Sequence, residues 1–373
     1  MNQTGPATFG VEEEFLVVEA GRGRPLPAGD EVVDRANEQL PDDGDFGDDA
    51  VEHEFKREQA ELGSLPCTTA TELRAQLVEL RSAMAAGAAA SGAAVAAIGT
   101  SPFRVRPTAT ADERYERMTA EFGLLARQSL TCGQHVHVEV GSRDEGAGVI
   151  DRLPPFLPVL LALSANSPWW QGEDSGYASF RSAIWGLWPT AGPSGPFGDA
   201  AGYDAAVAQL VATGSALDEG MVYFDARLSA KYPTVEVRVA DVCTDVDDAV
   251  LIAVLVRALV TTTSRAWAAG DAVEPSPPQW QRAATWRAAR YGLTGSLVDP
   301  VSRDLVPAAD AVSTLVDAVG DALDAIGERD LVADGLDRLL RTGTGADRQR
   351  RVHATTGSRA AVMRDAIART ASA

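Results

Sequence analysis

Four short segments limit what this chain can fold into, because each sets metal-competent side chains at alternate positions of an otherwise apolar run. In Gly10–Val18, Glu12 and Glu14 alternate with Val11, Phe15 and Val17. In Gly133–Val140, His135, His137 and Glu139 oppose Val136, Val138 and Val140. In Thr234–Val239, Glu236 and Arg238 alternate with Val235, Val237 and Val239. The fourth, Glu54–Leu62, is rich in carboxylates but less regular. Successive strand side chains point to opposite faces, so these read as strands with one apolar face and one face of carboxylates, imidazoles and an arginine. Any one of them alone is an ordinary amphipathic strand with a wet face. Together they read differently, since neighbouring like charges on a strand face repel. A bound Mg²⁺, which takes carboxylate and water oxygens, removes that repulsion. The shared face reads as a floor for divalent cations and a phosphate.

The remaining sequence narrows the class. At 373 residues the chain has the length of two domains, or of one large sheet with helices packed on it. A composition 45% hydrophobic and 23% charged is that of a globular protein with a full core. The formal charge of −20 argues against a nucleic-acid surface and against an anionic membrane. Three cysteines, Cys67, Cys132 and Cys243, imply no disulfide scaffold, and a reducing cytoplasm suits them. Met1–Thr8 shows no signal-peptide pattern. The most apolar runs, Phe156–Leu163 with its Pro158 and Ala249–Val260 with its Arg257, read as core helices and not as membrane spans.

Along the chain, strands are expected over 10–19 and 51–58, separated by a Gly/Pro/Asp-rich loop at 21–49 with a short helix at 30–39. The box Thr69-Ala70-Thr71-Glu72 opens a helix expected to run to about Ile98. Further helices are expected near 111–129, 150–166 and 203–213, a long loop over 169–198, and strands near 133–140, 221–228 and 234–240. A long helix over 246–268 precedes a proline-bearing linker at 271–281. Helices near 280–290, 307–326 and 330–340 and an Arg-rich tail helix complete the chain. Strands scattered among helices without strict alternation favour an α+β fold with an antiparallel sheet. The expected division is a catalytic α+β core over 1–270 and a helical part over 271–373 packed on it.

The segments Gly10–Phe15, Cys132–Val138, Leu161–Pro168, Tyr177–Ser182, Pro233–Asp241 and Trp286–Leu293 together resemble the type 2 glutamate–cysteine ligases, bacterial carboxylate–amine ligases of the glutamine-synthetase-like superfamily. That resemblance implies a curved, mainly antiparallel sheet with helices on one face. The opposite, concave face would hold ATP, metal ions and an acidic substrate. It also implies ATP-dependent formation of a γ-glutamyl amide bond. The chain departs from the family at Ser101, where a histidine is common.

By the same resemblance, Glu12 with Glu54 and Glu61 would hold one Mg²⁺ (Mn²⁺ being the alternative ion). Glu14, His135 and Glu236 would hold another near the γ-phosphate of ATP. Glu54 and Glu61 have opposite strand parity, so a bend must separate them, and Glu58 is the substitute if they cannot converge. His137 is expected to touch substrate or a metal ligand. Arg238 suits the transferring phosphoryl group, because guanidinium grips phosphate oxygens bidentately; its alternative is a salt bridge to Glu236. Arg181 could clamp a substrate carboxylate or stack on an aromatic ring. Arg348 and Arg351 are candidates to close over nucleotide phosphates. The expected partners are glutamate, an amine such as cysteine, and ATP, with a homodimer as the default assembly. Two rivals are a metal-dependent hydrolase, suggested by His135-Val136-His137, and a non-catalytic binding protein on the same fold.

Overall fold

In the computed structural model, residues 7–40 and 50–372 are described; part of the 21–49 loop and most of the amino-terminal segment lie outside them. The strands with alternating faces do assemble into one sheet. They are β1 (Phe9–Glu19), β2 (Val51–His53), β3 (Gln59–Gly63), β4 (Ala93–Ala96), β5 (Gly133–Glu139), β8 (Ala226–Leu228) and β9 (Thr234–Asp241). Two separate ribbons pair β6 (Trp169–Trp170) with β7 (Glu173–Asp174) and β10 (Ser296–Val298) with β11 (Leu305–Pro307). The main sheet has the order β2-β3-β1-β5-β9-β8, with β4 pairing the end of β1, and every pair is antiparallel. This is the expected α+β arrangement.

The helices in the first half are α1 (Gly29–Asn37), α2 (Ala70–Ala90), α3 (Glu113–Gln128), α4 (Arg143–Ile150), α5 (Leu157–Ser164), α6 (Phe180–Trp185) and α7 (Ala200–Ala212). The second half adds α8 (Val246–Ala269), α9 (Pro278–Tyr291), α10 (Ala308–Ala318), α11 (Gly320–Ile326), α12 (Arg329–Thr342), α13 (Gly345–Thr356) and α14 (Arg359–Thr370). The central α8 is buried along nearly its whole apolar run and packs against α2, α4, α11 and α12. Its Arg257 breaks that run without leaving the core: Nε donates to the Ala7 carbonyl at 2.9 Å and the guanidinium lies over Phe9. The helices of 271–373 pack on the sheet-bearing part through α9 on α5, α12 on α8 and α14 on β4. Among the described residues no helix is long and apolar enough to cross a membrane.

Several boundaries differ from expectation; among them, the strand expected near 221–228 is only β8, and the helix expected over 307–326 is split into α10 and α11. The Thr69–Glu72 capping box forms, but α2 stops at Ala90 because Gly92 turns the chain at φ +69° and the small alanines that follow pair with β1 as β4. Strand pairing overrides the helix preference of alanine there. The expected strand 51–58 is a hairpin, β2 turning into β3 through residues 54–58. The helix expected over 150–166 is shorter: after Pro154-Pro155 it starts only at Leu157 as α5, and a separate helix, α4, ends at Ile150. The loop over 169–198 contains the β6–β7 ribbon and α6.

One charged residue sits on the apolar face of β1. Glu13 is fully buried and takes two hydrogen bonds from Arg81 of α2, at 2.5 and 2.8 Å. Arg81 spends its other donors on the carbonyls of Cys243 and Thr244, just before α8. The pair thus ties β1, α2 and the start of α8 together. Removing one partner of a buried ion pair leaves an uncompensated charge, so Glu13→Ala should lower unfolding free energy by about 3–5 kcal/mol. Chemical denaturation checks this, and a loss under about 1 kcal/mol would mean that the pair behaves like a surface one.

A candidate metal and phosphoryl-transfer site

The polar face of the sheet opens into a cavity of about 910 Å³ lined by Glu12, Glu14, Glu54, Glu61, His135, His137, Glu236 and Arg238. Register brings six of them together. Across β1–β3 Glu14 faces Glu61, across β1–β5 Glu12 faces His135, and across β5–β9 His137 faces Glu236. Directly opposed residues on one face have neighbouring Cβ atoms, so three strand pairs deliver six polar side chains to one floor.

The two groups of side chains that could hold a cation are not grouped as expected. Glu12, His135 and Glu236 offer ligand atoms within 4.8 Å of one another, and so do Glu14, Glu54 and Glu61. Glu12 and Glu14 have therefore exchanged places. The cause is register: Glu14 lies opposite Glu61 on one neighbouring strand and Glu12 opposite His135 on the other. The hairpin turn resolves the parity conflict, since Glu54 stands just beyond β2 and reaches the same group as Glu61. Glu58, the substitute, is turned away and accepts from the Thr108 amide at 2.9 Å.

The electrostatics fit cations. Burial, together with the charge of Glu54, pushes the Glu14 carboxyl up to about 7. Burial and the neighbouring Glu12 and Glu54 raise Glu61 well above its ordinary range. Burial also raises Glu12, but hydrogen bonds and charge from His135 and His137 outweigh it and hold this carboxyl well below its ordinary value. Burial and the Arg238 charge depress His135 to about 4, which leaves it neutral and competent as a ligand near neutral pH. Its Nδ1 is 3.1 Å from Glu12, while its Nε2 is buried without a hydrogen-bond partner, 4.0 Å from Glu14. An orphaned imidazole nitrogen beside repelling carboxylates is the chemistry of a metal site. His137 lies between Thr234 Oγ1 (2.9 Å) and Glu12 (3.3 Å), beside the Glu12–His135–Glu236 group.

Arg238 is placed by a β-bulge. Gln134 pairs Ala240 and Val136 pairs Val237, so Arg238 and Val239 together face His135. Its Nη1 contacts Glu236 and lies 3.5 Å from His135 Nδ1. The salt bridge weighed as the alternative is therefore present. Arg227 of β8 grips the same carboxylate from the other side, at 2.6 and 3.2 Å. Two guanidiniums outweigh the effect of burial and hold Glu236 far below its ordinary range. Arg227 was not among the sequence candidates; its signal was one arginine between apolar neighbours in Ala226-Arg227-Leu228, too short a pattern to separate from a surface strand.

Other candidates lie elsewhere. Arg181 is buried at the start of α6, donates to the Arg238 carbonyl at 3.3 Å and lies over Trp185. Arg348 lines a separate cavity and pairs with Asp245 at 3.3 Å, whereas Arg351 is exposed. Neither lines the carboxylate floor; α13 carries Arg348 to another cavity, beside the start of α8. Ser101 is buried, and its hydroxyl accepts from the Phe103 amide.

A raised carboxyl has a thermodynamic signature. The folded state holds a proton on Glu14 from its ordinary 4.5 up to about 7, where the unfolded chain has lost it, so this group costs stability as pH rises through that window. In chelator, Glu14→Gln should melt above the wild type once pH exceeds about 7, and the gain should vanish below about 4.5. Melting curves across pH test this, and equal melting at both ends would contradict the placement.

Comparison with known proteins identifies the family and the fold. A family profile described as "Glutamate-cysteine ligase family 2" matches residues 8–371. A Frankia alni protein named "Putative glutamate–cysteine ligase 2-2" is 51% identical over 364 residues, covering 96% of this chain and 95% of its own. Among solved structures, a glutamate–cysteine ligase from Francisella tularensis in complex with AMP superposes with a TM-score of 0.69 at 13% identity, over 99% of this chain and 89% of the other. A bifunctional glutathione synthetase from Pasteurella multocida gives a TM-score of 0.65 at 16% identity, over 98% of this chain and 52% of that one. At such identities these two share the glutamine-synthetase-like fold. The extent of the profile match and the identity to the Frankia alni protein make the chain a member of glutamate–cysteine ligase family 2.

Proposed function

We propose that the protein is an ATP-dependent carboxylate–amine ligase that joins the γ-carboxylate of glutamate to the amine of cysteine, releasing ADP and phosphate. The observation that carries this reading is the convergence of two carboxylate-rich groups and Arg238 on one cavity floor. Glu12, His135 and Glu236 would hold one Mg²⁺, and Glu14, Glu54 and Glu61 another. When bound, such cations neutralise the phosphate oxygens of ATP.

The chain's own residues do the rest. Arg238 offers its fork to the phosphoryl group in flight, with Trp185 and Tyr223 lying 5.9 and 6.0 Å from its guanidinium and limiting its swing. Arg227 keeps Glu236 in place from the opposite side. A glutamate γ-carboxylate oxygen attacks the γ-phosphorus while the bond to ADP breaks. The amine then attacks the acyl carbon, the carbon–oxygen bond to phosphate breaks, and the amine proton leaves to solvent. Phosphoryl transfer of this kind needs positioning and charge more than covalent help.

The hydrolase reading finds no such support. His53 and His353, the histidines it would need, do not line the cavity: His53 lies beside Asp30 and His353 packs on Trp169. The helices of 271–373 belong to the same working unit in our reading, because Trp286 of α9 helps to wall a recess behind Arg238. A cytoplasmic location is the one consistent with this chemistry.

Purified protein given ATP, Mg²⁺ and glutamate should release ADP and phosphate only with an amine present, and cysteine should lead a panel of amines. Label in the glutamate γ-carboxylate oxygens should appear in the phosphate. AMP as product, or full retention of label in the peptide, would overturn the mechanism. Arg238→Lys keeps the charge and loses the fork, so turnover should fall by more than about tenfold, roughly 1.4 kcal/mol. A change confined to the KM for ATP would contradict the role assigned to it.

A further inference from the structure

Three consecutive side chains of α13 reach three different loops. Arg348 pairs with Asp245, the N-cap of α8, at 3.3 Å. Gln349 is buried, and its Nε2 donates to both the Oδ1 and the main-chain carbonyl of Asn166, at 2.8 and 2.9 Å. Arg350 grips Asp174 with Nε and Nη2, at 2.9 and 2.6 Å, and Nη2 also donates to the Tyr177 carbonyl at 2.8 Å. The start of the helix is seated as closely. The Ala346 amide donates to the Ala165 carbonyl, and a Cβ on residue 345 would lie 2.1 Å from Asn166 Oδ1, so only glycine fits there.

From Asn166 a buried hydrogen-bond network runs to the sheet that bears Arg238. The Asn166 amide donates to Asp241 at 2.7 Å, and so do the hydroxyls of Ser167 and Ser179, at 2.7 and 2.8 Å. Asp241 is fully buried and ends β9, the strand that carries Glu236 and Arg238. Ser179 is also the N-cap of α6, and Ser167 Oγ accepts from the Arg181 amide at 3.0 Å. Helix α6 in turn flanks Arg238: Arg181 donates to its carbonyl at 3.3 Å, and Trp185 lies 5.9 Å from its guanidinium. Arg350 acts on the same helix from outside, through the chain at 174–177 that leads into it. Each member of a satisfied buried network fixes its neighbours, so breaking one link costs geometry as well as stability.

We propose that Gln349 and Arg350 are positioning residues for Arg238. Helix α13 touches neither ATP nor substrate, and it sets the aim of the guanidinium through Asn166, Asp241 and α6. The inference rests on the ligase reading. It gives the helical part of the chain a share in catalysis from a distance, since a reacting group displaced by about 1 Å can lose about a hundredfold in rate. A merely structural contact would lower the melting temperature and leave the turnover of the folded protein alone.

Steady-state kinetics and hydrogen exchange on the full chain test this. Gln349→Met keeps the bulk of the side chain and removes the donor. With protein that is folded at the assay temperature, turnover should fall by about tenfold or more. The KM values for ATP and glutamate should stay within about threefold. Exchange should quicken at the amides of 179–185. Combined with Arg238→Lys, the loss should be smaller than the product of the two single losses, because both act on one group. Arg350→Ala, at a partly exposed position, should show the same pattern, and it decides the matter if Gln349→Met does not fold. Unchanged turnover, a change confined to KM, unchanged exchange in α6, or losses that multiply with Arg238→Lys would each sink the proposal. If the wild type turns over and these tests fail, the positioning role falls and the ligase stands. If no amine supports turnover in the wild type, both fall.

Discussion

Like charge gathered on one sheet face is the constraint from which the rest of this molecule follows. Glu12, Glu14, Glu54, Glu61 and Glu236 cover one end of a half-buried floor. Carboxylates so close in a medium of reduced dielectric repel strongly, and the chain meets this in two ways. Around Glu236 and Glu12 it supplies its own cations and donors in Arg227, Arg238, His135 and His137. Around Glu14, Glu54 and Glu61 the raised carboxyls show that it supplies too few. The face is divided into a part that is nearly neutral by itself and a part that waits for external charge.

That division suits phosphoryl transfer. A site complete in its own cations would bind ATP poorly once Mg²⁺ arrived, and one lacking them would not hold its shape. Arg238 stands at the boundary, in contact with Glu236 and 3.5 Å from His135. The bulge that puts two residues of β9 opposite His135 sets its direction. The buried Glu13–Arg81 pair on the reverse face ties β1 to α2 and to the chain entering α8, so the strand bearing both Glu12 and Glu14 is anchored from behind.

The recess behind Arg238 is lined by groups of both signs, Asp225 with Arg181 and Arg238, in contrast to the floor, where negative charge dominates. Arg181, at the start of α6, is buried against Gly133, and its charge pulls on the Glu14 carboxyl of the floor.

What the sequence determined by itself was the alternation: a period of two is written into β1, β5 and β9, and it specified strands, their polar face and the residue types on it. It also required a bend between Glu54 and Glu61, because their parity conflicts, and a turn stands there. Register was left to the tertiary structure, since period two says which face a side chain occupies but not which neighbour it meets across the ladder. Hence Glu12 and Glu14 exchanged partners between expectation and structure. Arginines were the least legible. Arg348 and Arg351 share a basic run that invites a phosphate, yet α13 takes them elsewhere, while Arg227, between two apolar residues in sequence, acquires meaning only from β8, which brings it beside Glu236. A charge advertises its chemistry locally; its partner is chosen by the fold, through contacts far apart in the chain.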